Sequence, residues 1–491
     1  MDTFKVPLII RGEIIEDYAL EFGNRAGSGS GFVTPDVSKY IRKLVNNDPA
    51  SLLDLYSISL EDIYSYLEEL GNRLNFDKNA GLREAFEVSC HFSNLSRPVL
   101  ENIYRHCFRG FTREKLRQMV ETQIGSKYLE GWVPTTLDNG STASVRAMGA
   151  RGVHVIAGNI PIVAGLTYMR SAITRSDTIV KLPSNDPLTA AAIAREAIKM
   201  APNHPITKHF SVAYWKGGDE RVESQIYLPA NIEKICAWGG YASIKHIGKY
   251  IGPGIDLITL DPKSSTTLIG KEAFQDDETM RDVAMRVATD IGGWDQEACS
   301  NARVVFLESG TGAAGVAKAN RFGQAVFDAL QALPKEVSGS AVNFDNRLLS
   351  EIQGILPLKD YYKVYADRQK IGKSGAVIVS QLGEQVDFVQ LLCGRVGNIV
   401  PVDDIRESLR YFTAATQTVG IYPDSLRLEL RDLAAVMGGQ RFLPVGYAVA
   451  GGHPMPQDGI EPERRMLKWV SDYHCDIAKD PGAWVPGKVA A

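Results

Sequence analysis

VHVIAGNIPIVAG, residues 153–165, is the stretch that decides the fold. A strand-like run ends at Ala157, the pair Gly158-Asn159 turns the chain, and Pro161 stands where a first helical turn tolerates a residue without an N–H. Strand, tight turn and helix open a parallel α/β unit. The text that follows keeps the alternation, with short β-branched runs TIVKL from Thr178, FSVAYW from Phe210, KICAW from Lys234 and IDLITL from Ile255. Helix-length amphipathic stretches at 160–174, 188–200 and 241–250 separate them, so at least two right-handed crossovers fit. Residues 153–265 thus read as a Rossmann-like nucleotide-binding domain.

Working outward, a second α/β pattern fills 266–440. TTLIG precedes the helical DDETMRDVAMRVATD, and GGWDQEACSN runs directly into the apolar ARVVFLES. GAVIVSQL, FVQLL and NIVPV extend the same domain, followed by IRESLRYFTAATQ, which reads as helical. Upstream, 1–126 is expected to be a helical part of the nucleotide-binding domain, because apolar residues recur every three or four positions at 37–45, 60–74 and 80–94. Between them, 127–152 contains WVPTTLDNGSTASVRAMGARG, where Asp138-Asn139-Gly140 turns two strand-like runs into a bridging or oligomerisation hairpin. The Gly- and Pro-rich 441–491 is expected to pack back over the nucleotide-binding and hairpin regions. The fold class is α/β.

Composition removes whole classes of function. With 491 residues the chain buries large cores without disulfides or metal. Its 54 Lys+Arg against 58 Asp+Glu leave a net charge of -4 and no basic blocks, which argues against nucleic acid. The six cysteines are scattered, with no Cys-x-x-Cys pair and no Cys/His cluster at metal spacing. The opening MDTFKVPLIIRGE lacks the features of a signal peptide. The least polar stretch, 155–169, is interrupted by Asn159 and Pro161. No integral membrane segment, no metal and a cytoplasmic setting with free thiols are the expectations.

Two glycine-rich strings are decoys. GSGSG, 27–31, has no strong strand before it and no Lys-Ser/Thr after it, and reads as a surface loop. Gly310-Thr-Gly312-Ala-Ala-Gly315 satisfies G-x-G-x-x-G, yet no strand ending in an acidic residue follows its helix at the required distance, so a helix entry needing small residues is expected. Cys299 is different. It sits in a polar turn at a strand mouth, where backbone donors favour a thiolate nucleophile, although a buried small hydrophobe is the commoner fate of a free cysteine. Cys393, beside Gly394, is the rival nucleophile. For Asn159 the residues leave two roles open, the commoner helix cap and an amide donor to an oxyanion.

Taken together, HVIAGNIPIVAG, TIVKLPSNDPLTAAAIA and DQEACSNARVVF resemble the aldehyde dehydrogenase superfamily, and within it the acyl-CoA reductases of the bacterial-bioluminescence (LuxC) type. The resemblance runs from PLIIRGE to PMPQDGIEPERRMLKWV. It implies an aldehyde dehydrogenase-like fold: a Rossmann-like cofactor domain, an α/β catalytic domain and a small oligomerisation hairpin. It implies Cys299 as nucleophile and Asn159, with the Cys299 N–H, as oxyanion hole. It also assigns the cofactor to Ile156, Ala157 and Gly158, to Lys181 at the adenosine ribose, and to Trp238, Gly239 and Gly240 near the pyrophosphate. Ser184 stands where NAD-preferring relatives often carry a glutamate, which leaves room for a 2′-phosphate and points to NADPH. Thr259 takes the place of the glutamate that activates hydrolytic water, and Gly394-Arg395-Val396-Gly397 lacks a second family glutamate.

An enzyme that forms a thioacyl intermediate without a base for water exchanges acyl groups with another thiol. The resemblance therefore implies NADPH-dependent reduction of a long-chain acyl-CoA to the aldehyde through acyl-Cys299. Its alternatives are another acyl-CoA, an acyl phosphate, or an acyl-accepting subunit of a fatty acid reductase complex. His453 is a candidate proton shuttle that a surface role explains equally well. Expected partners are the acyl-CoA substrate, an acyl-protein synthetase and a second copy of the chain in a homodimer or homotetramer.

Overall fold

The computed structural model describes residues 3–23, 29–450, 454–475 and 484. His453 and the first two positions of GSGSG lie outside the described residues. Five parallel strands lie in the order Asp256–Leu260, Lys234–Trp238, Arg151–Val155, Asp177–Lys181, Phe210–Ala213. Counted along the chain this is 5-4-1-2-3, the doubly wound order, whose switch point lies between Arg151–Val155 and Lys234–Trp238. At such a point the carboxyl ends of two neighbouring strands diverge and leave room for a ligand crevice. All five residues of Arg151–Val155 are buried, as a central parallel strand covered on both faces requires. The crossover helix Ile162–Ile173 is buried from Val163 to Ile173, so it is an interior helix.

His154 lies inside this buried strand, and burial, followed by the charge of Arg170, pushes its imidazole down to about 3. The folded protein thus refuses a proton that the unfolded chain takes up near pH 6.5, and stability is lost as pH falls between those values. His154→Leu should therefore lose less stability than the parent on acidification from pH 6.5, by about 1.4 kcal/mol per pH unit. Thermal midpoints of the two proteins across that range check it; parallel pH curves would refute it.

The helical reading of 1–126 needs correction. Leu8–Ile10 pairs antiparallel with Phe210–Ala213, and Glu13–Ile15 pairs with Leu8–Ile10, completing a seven-stranded sheet. A separate small sheet joins Thr3–Lys5, Gly31–Pro35 and Tyr18–Gly23. Three of these five strands have only three residues, too short to display a period, so the helical repeats stand out instead. Those repeats do form helices, Leu60–Arg73 and Ala80–Phe92 among them. Their apolar faces share one core with the Ile162–Ile173 helix.

The second seven-stranded sheet has the order Tyr362–Tyr365, Ala376–Ser380, Val396–Pro401, Ala302–Leu307, Ser264–Ile269, Thr416–Tyr422, Arg441–Pro444. All neighbours are parallel except the first pair. Three boundaries shift accordingly. Ser264 and Ser265 belong to the second sheet, Arg441–Pro444 is its edge strand and not part of a returning tail, and Arg151 and Gly152 already belong to the first. IRESLRYFTAATQ is also corrected: a 3-10 turn spans Ile405–Tyr411, and Thr416–Tyr422 is an interior strand. FVQLL contributes only the short turn Val389–Leu391.

A third sheet joins Val133–Thr136, Thr142–Met148 and Lys468–His474, the last two through seven antiparallel pairs. The C-terminal segment is fastened again by a buried ion pair, in which Arg170 Nε donates to Glu463 Oε1 at 2.7 Å. Among the described residues no helix is long and apolar enough to cross a membrane.

Candidate active site

Cys299 lies in the turn between the 3-10 segment Gly293–Gln296 and the strand Ala302–Leu307. Trp294, Asp295 and Gln296 all hold positive φ, at 50°, 54° and 65°. Non-glycine residues adopt that conformation only where their surroundings enforce it. The Trp294 N–H donates to Val337 O at 2.8 Å. The Asp295 carboxylate accepts from the N–H groups of Ser96 and Gly339, both at 2.6 Å. The Gln296 amide binds Val396 in both directions. On the far side Asn301 accepts from the Ala298 N–H and donates to Asp290 O and Gly293 O, while Ser265 Oγ donates to Cys299 O at 2.7 Å. The turn is clamped on every side, yet the Cys299 side chain is exposed.

Surrounding protein and then the Asp458 carboxylate push the Cys299 thiol up, whereas a hydrogen bond from Gln417 and the charge of Arg303 pull it down. Gln417 Nε2 stands 3.2 Å from Cys299 Sγ and 2.5 Å from Asp458 Oδ1. Two residues before the cysteine, burial and then Asp295 push the Glu297 carboxyl up to about 7. Cys393, the rival nucleophile, is partly buried. Burial and then Glu297 push its thiol up.

Asn159 is not a helix cap. The helix after it begins at Ile162 with Pro161 as its cap residue, and Asn159 Nδ2 donates to Glu297 O at 2.8 Å. An amide nitrogen carries two hydrogens, so a second remains for a ligand. This contact brings the switch-point loop of the first sheet against the thiol turn of the second.

The remaining candidates gather at the carboxyl ends of the first sheet. Ile156, Ala157 and Gly158 follow Arg151–Val155, and Trp238, Gly239 and Gly240 end or follow the adjacent Lys234–Trp238. A Cβ on Gly158 would fall 2.3 Å from Asn185 Oδ1 and 2.7 Å from Pro183 Cγ, so these two loops meet closely; one on Gly240 would meet nothing within 4 Å among the described residues. Lys181 closes its strand with its ammonium 5.5 Å from the Trp215 ring centroid. Three residues on, the Ser184 hydroxyl is buried without a hydrogen-bond partner among the described residues. Thr259 lies on the edge strand, paired with Ala237, and carries no carboxylate. Gly394 and Arg395, both at positive φ, lead into Val396–Pro401.

The 310–315 string begins the helix Ala313–Ala332. Its Thr311 N–H and hydroxyl are both engaged by the Asp403 carboxylate at 2.7 Å, and a Cβ on Gly315 would lie 2.1 Å from Gly310 O. Close packing accounts for Gly315, and a left-handed backbone at φ 90° accounts for Gly310.

Sequence reasoning missed Gln417, Asp458 and Glu297. Gln417 was hidden in text read as helix, and Asp458 acquires its place only through the returning C-terminal segment. Glu297 carried the one usable signal, an acid two residues from the candidate thiol.

The family model described as acyl-CoA reductase (LuxC) matches residues 55–469. A long-chain acyl-protein thioester reductase of Vibrio harveyi is 24% identical over 474 residues, covering 95% of this chain and 92% of that protein. Its counterpart from Aliivibrio fischeri is 29% identical over 478 residues, again covering 95% and 92%. Among solved structures, lactaldehyde dehydrogenase from Escherichia coli matches with a TM-score of 0.69 at 14% identity, covering 96% of this chain and 100% of that one. That likeness shows the fold to be aldehyde dehydrogenase-like.

Proposed function

Because the chain belongs to the LuxC family of acyl-CoA reductases, we propose that it reduces a long-chain fatty acyl thioester to the aldehyde, with NADPH, through an acyl-Cys299 intermediate. The observation that carries this reading is the Asn159–Glu297 contact, which sets an exposed cysteine beside the switch-point crevice of a doubly wound sheet.

Cys299 attacks the thioester carbonyl as thiolate, the carrier thiol leaves, and the acyl group stays on sulfur. The second Asn159 N–H and the Cys299 N–H receive the carbonyl oxygen as it gains charge, an interaction worth about 3 kcal/mol per donor. A bound nicotinamide dinucleotide supplies the hydride. Collapse of the resulting thiohemiacetal frees the aldehyde and restores the Cys299 thiolate.

The residues present suit such a cofactor. Gly240 leaves open backbone at the switch point, and Ile156, Ala157, Gly158, Trp238 and Gly239 shape the same crevice. The unpartnered Ser184 hydroxyl supports a 2′-phosphate there, with Lys181 supplying charge. No carboxylate stands at Thr259 to activate water, which favours thiol exchange over release of an acid. A cytoplasmic homodimer or homotetramer, paired through the 127–152 hairpin, and an acyl-protein synthetase as donor complete the proposal. The names of the relatives favour an acyl-protein donor.

The test is NADPH oxidation with acyl-CoAs of increasing chain length and, separately, with acyl groups loaded on a synthetase. Thioester-dependent NADPH loss with aldehyde formed in equal amount is expected, faster with long chains. No turnover with either carrier would overturn the reading.

A further inference from the structure

The reaction as proposed uses Cys299 and Asn159 but leaves the hydrogen bond on the cysteine sulfur without a purpose. Gln417 stands second in the interior strand Thr416–Tyr422, beside the strand whose Ser265 holds the Cys299 carbonyl. It is buried. Its amide nitrogen has two hydrogens, and the structure provides for both: Cys299 Sγ at 3.2 Å and Asp458 Oδ1 at 2.5 Å. A carboxylate only accepts hydrogen bonds. With Asp458 on one side, therefore, the nitrogen and not the oxygen of the amide is turned to the sulfur.

Asp458 is itself held against its preference, at φ 55°. The Gln457 N–H donates to Ile460 O at 2.9 Å and closes the turn, while Gln457 Oε1 accepts from the buried Arg170 at 2.9 Å. A strained acidic residue kept in place by its neighbours, and aimed through one amide at an exposed thiol, has the form of functional strain.

We propose that Gln417 is a catalytic residue that stabilises the Cys299 thiolate by donating to its sulfur, and that Asp458 is a positioning residue that fixes the Gln417 amide in the donating orientation. This rests on the reading of Cys299 as nucleophile. The sulfur is anionic when it attacks and again when the thiohemiacetal collapses, so one fixed donor serves both steps. An amide cannot take the proton, hence Gln417 acts by hydrogen bonding alone. The charges around the pair do not share one sign. Asp458 disfavours the thiolate, and Arg303 and Arg441 favour it. Asp458 itself faces Lys263, Arg170 and Asp261.

Because the two residues act with opposite sign on the thiol, they can be separated. The measurement is the rate of Cys299 alkylation by iodoacetamide against pH, read by peptide mass spectrometry on the full chain with no cofactor or acyl donor. Gln417→Leu should raise the midpoint by about one pH unit, a roughly tenfold slower alkylation at neutral pH. Gln417→Ala repeats the test if leucine disturbs the strand. Asp458→Asn keeps the acceptor oxygen, removes the charge and should lower the midpoint. In an Asp458→Ala background the amide is no longer held, and Gln417→Leu should then shift the midpoint by less than half as much. An unchanged midpoint in both Gln417 variants, or an undiminished shift in the Asp458→Ala background, overturns the proposal. Failure of the nucleophile reading shows elsewhere, as reductase activity that survives Cys299→Ala.

Discussion

Cys299→Ala should abolish thioester-dependent NADPH oxidation, lowering kcat by roughly 10⁴-fold or more, the scale on which enzymes lose their nucleophile. The expectation rests on the turn that carries the residue. Three consecutive left-handed residues precede Cys299, and each is fastened to a different segment, at Val337, at Ser96 and Gly339, and at Val396. A chain does not hold such a conformation for packing when the side chain it presents is exposed. Cys393→Ala is the paired control, expected to stay within about twofold of the parent because its side chain is partly buried where that of Cys299 is exposed. Without NADPH, the parent should accumulate one long-chain acyl group on the peptide containing Cys299, and the alanine variant none. Turnover that persists in Cys299→Ala, or labelling that moves to Cys393, would sink the covalent route.

The parts of this site legible in sequence are those where local text and tertiary role coincide. VHVIAGNIPIVAG is at once strand, turn and helix and the edge of the crevice, so one pattern carried both fold and site. KICAWGG did the same for the neighbouring strand. Cys299 was legible because a polar turn between helical and strand-like text exposes what it contains. Gln417 was not, because the apolar spacing of Ile405, Leu409 and Phe412 suits a helix and ran straight into Thr416, masking the strand Thr416–Tyr422. Nor could the three-residue strands Leu8–Ile10 and Glu13–Ile15 be seen, since three residues display no period and Leu8–Ile10, which carries Glu13–Ile15 beside it, joins Phe210–Ala213 about two hundred residues away. Asn159 illustrates a third kind of limit. Its text suits a cap, and only the arrival of Glu297 from the other sheet turns the amide outward. Local geometry was readable wherever it needed no distant partner.

Glu463→Ala should destabilise the protein by about 3–5 kcal/mol, the cost of stranding one member of a buried ion pair. Arg170 and Glu463 are 1% and 0% exposed, so water cannot replace the lost carboxylate. The guanidinium also binds Gln457 and lies 5.5 Å from the Trp238 ring centroid, while Arg170 Nη1 and Glu463 Oε2 have no hydrogen-bond partner among the described residues. A pair so incompletely satisfied adds little by itself, since desolvation offsets much of its attraction. Removing both charges should therefore be far milder than removing one, and Arg170→Met with Glu463→Leu is expected to recover most of the loss. Thermal midpoints read the difference, with the single variant lower by roughly 3–5 °C and the double variant near the parent. A single variant that melts within a degree or two of the parent would mean that the pair is hydrated in solution. The position of the pair adds a second consequence. Arg170 lies on the helix that follows Asn159, and Gln457 precedes Asp458, so one guanidinium ties the first sheet to the loop that orients Gln417. Glu463→Ala should loosen that loop and move the Cys299 alkylation midpoint, whereas the double variant, which also releases Gln457, should regain stability without regaining the parent midpoint. A pair that served stability alone would restore both together.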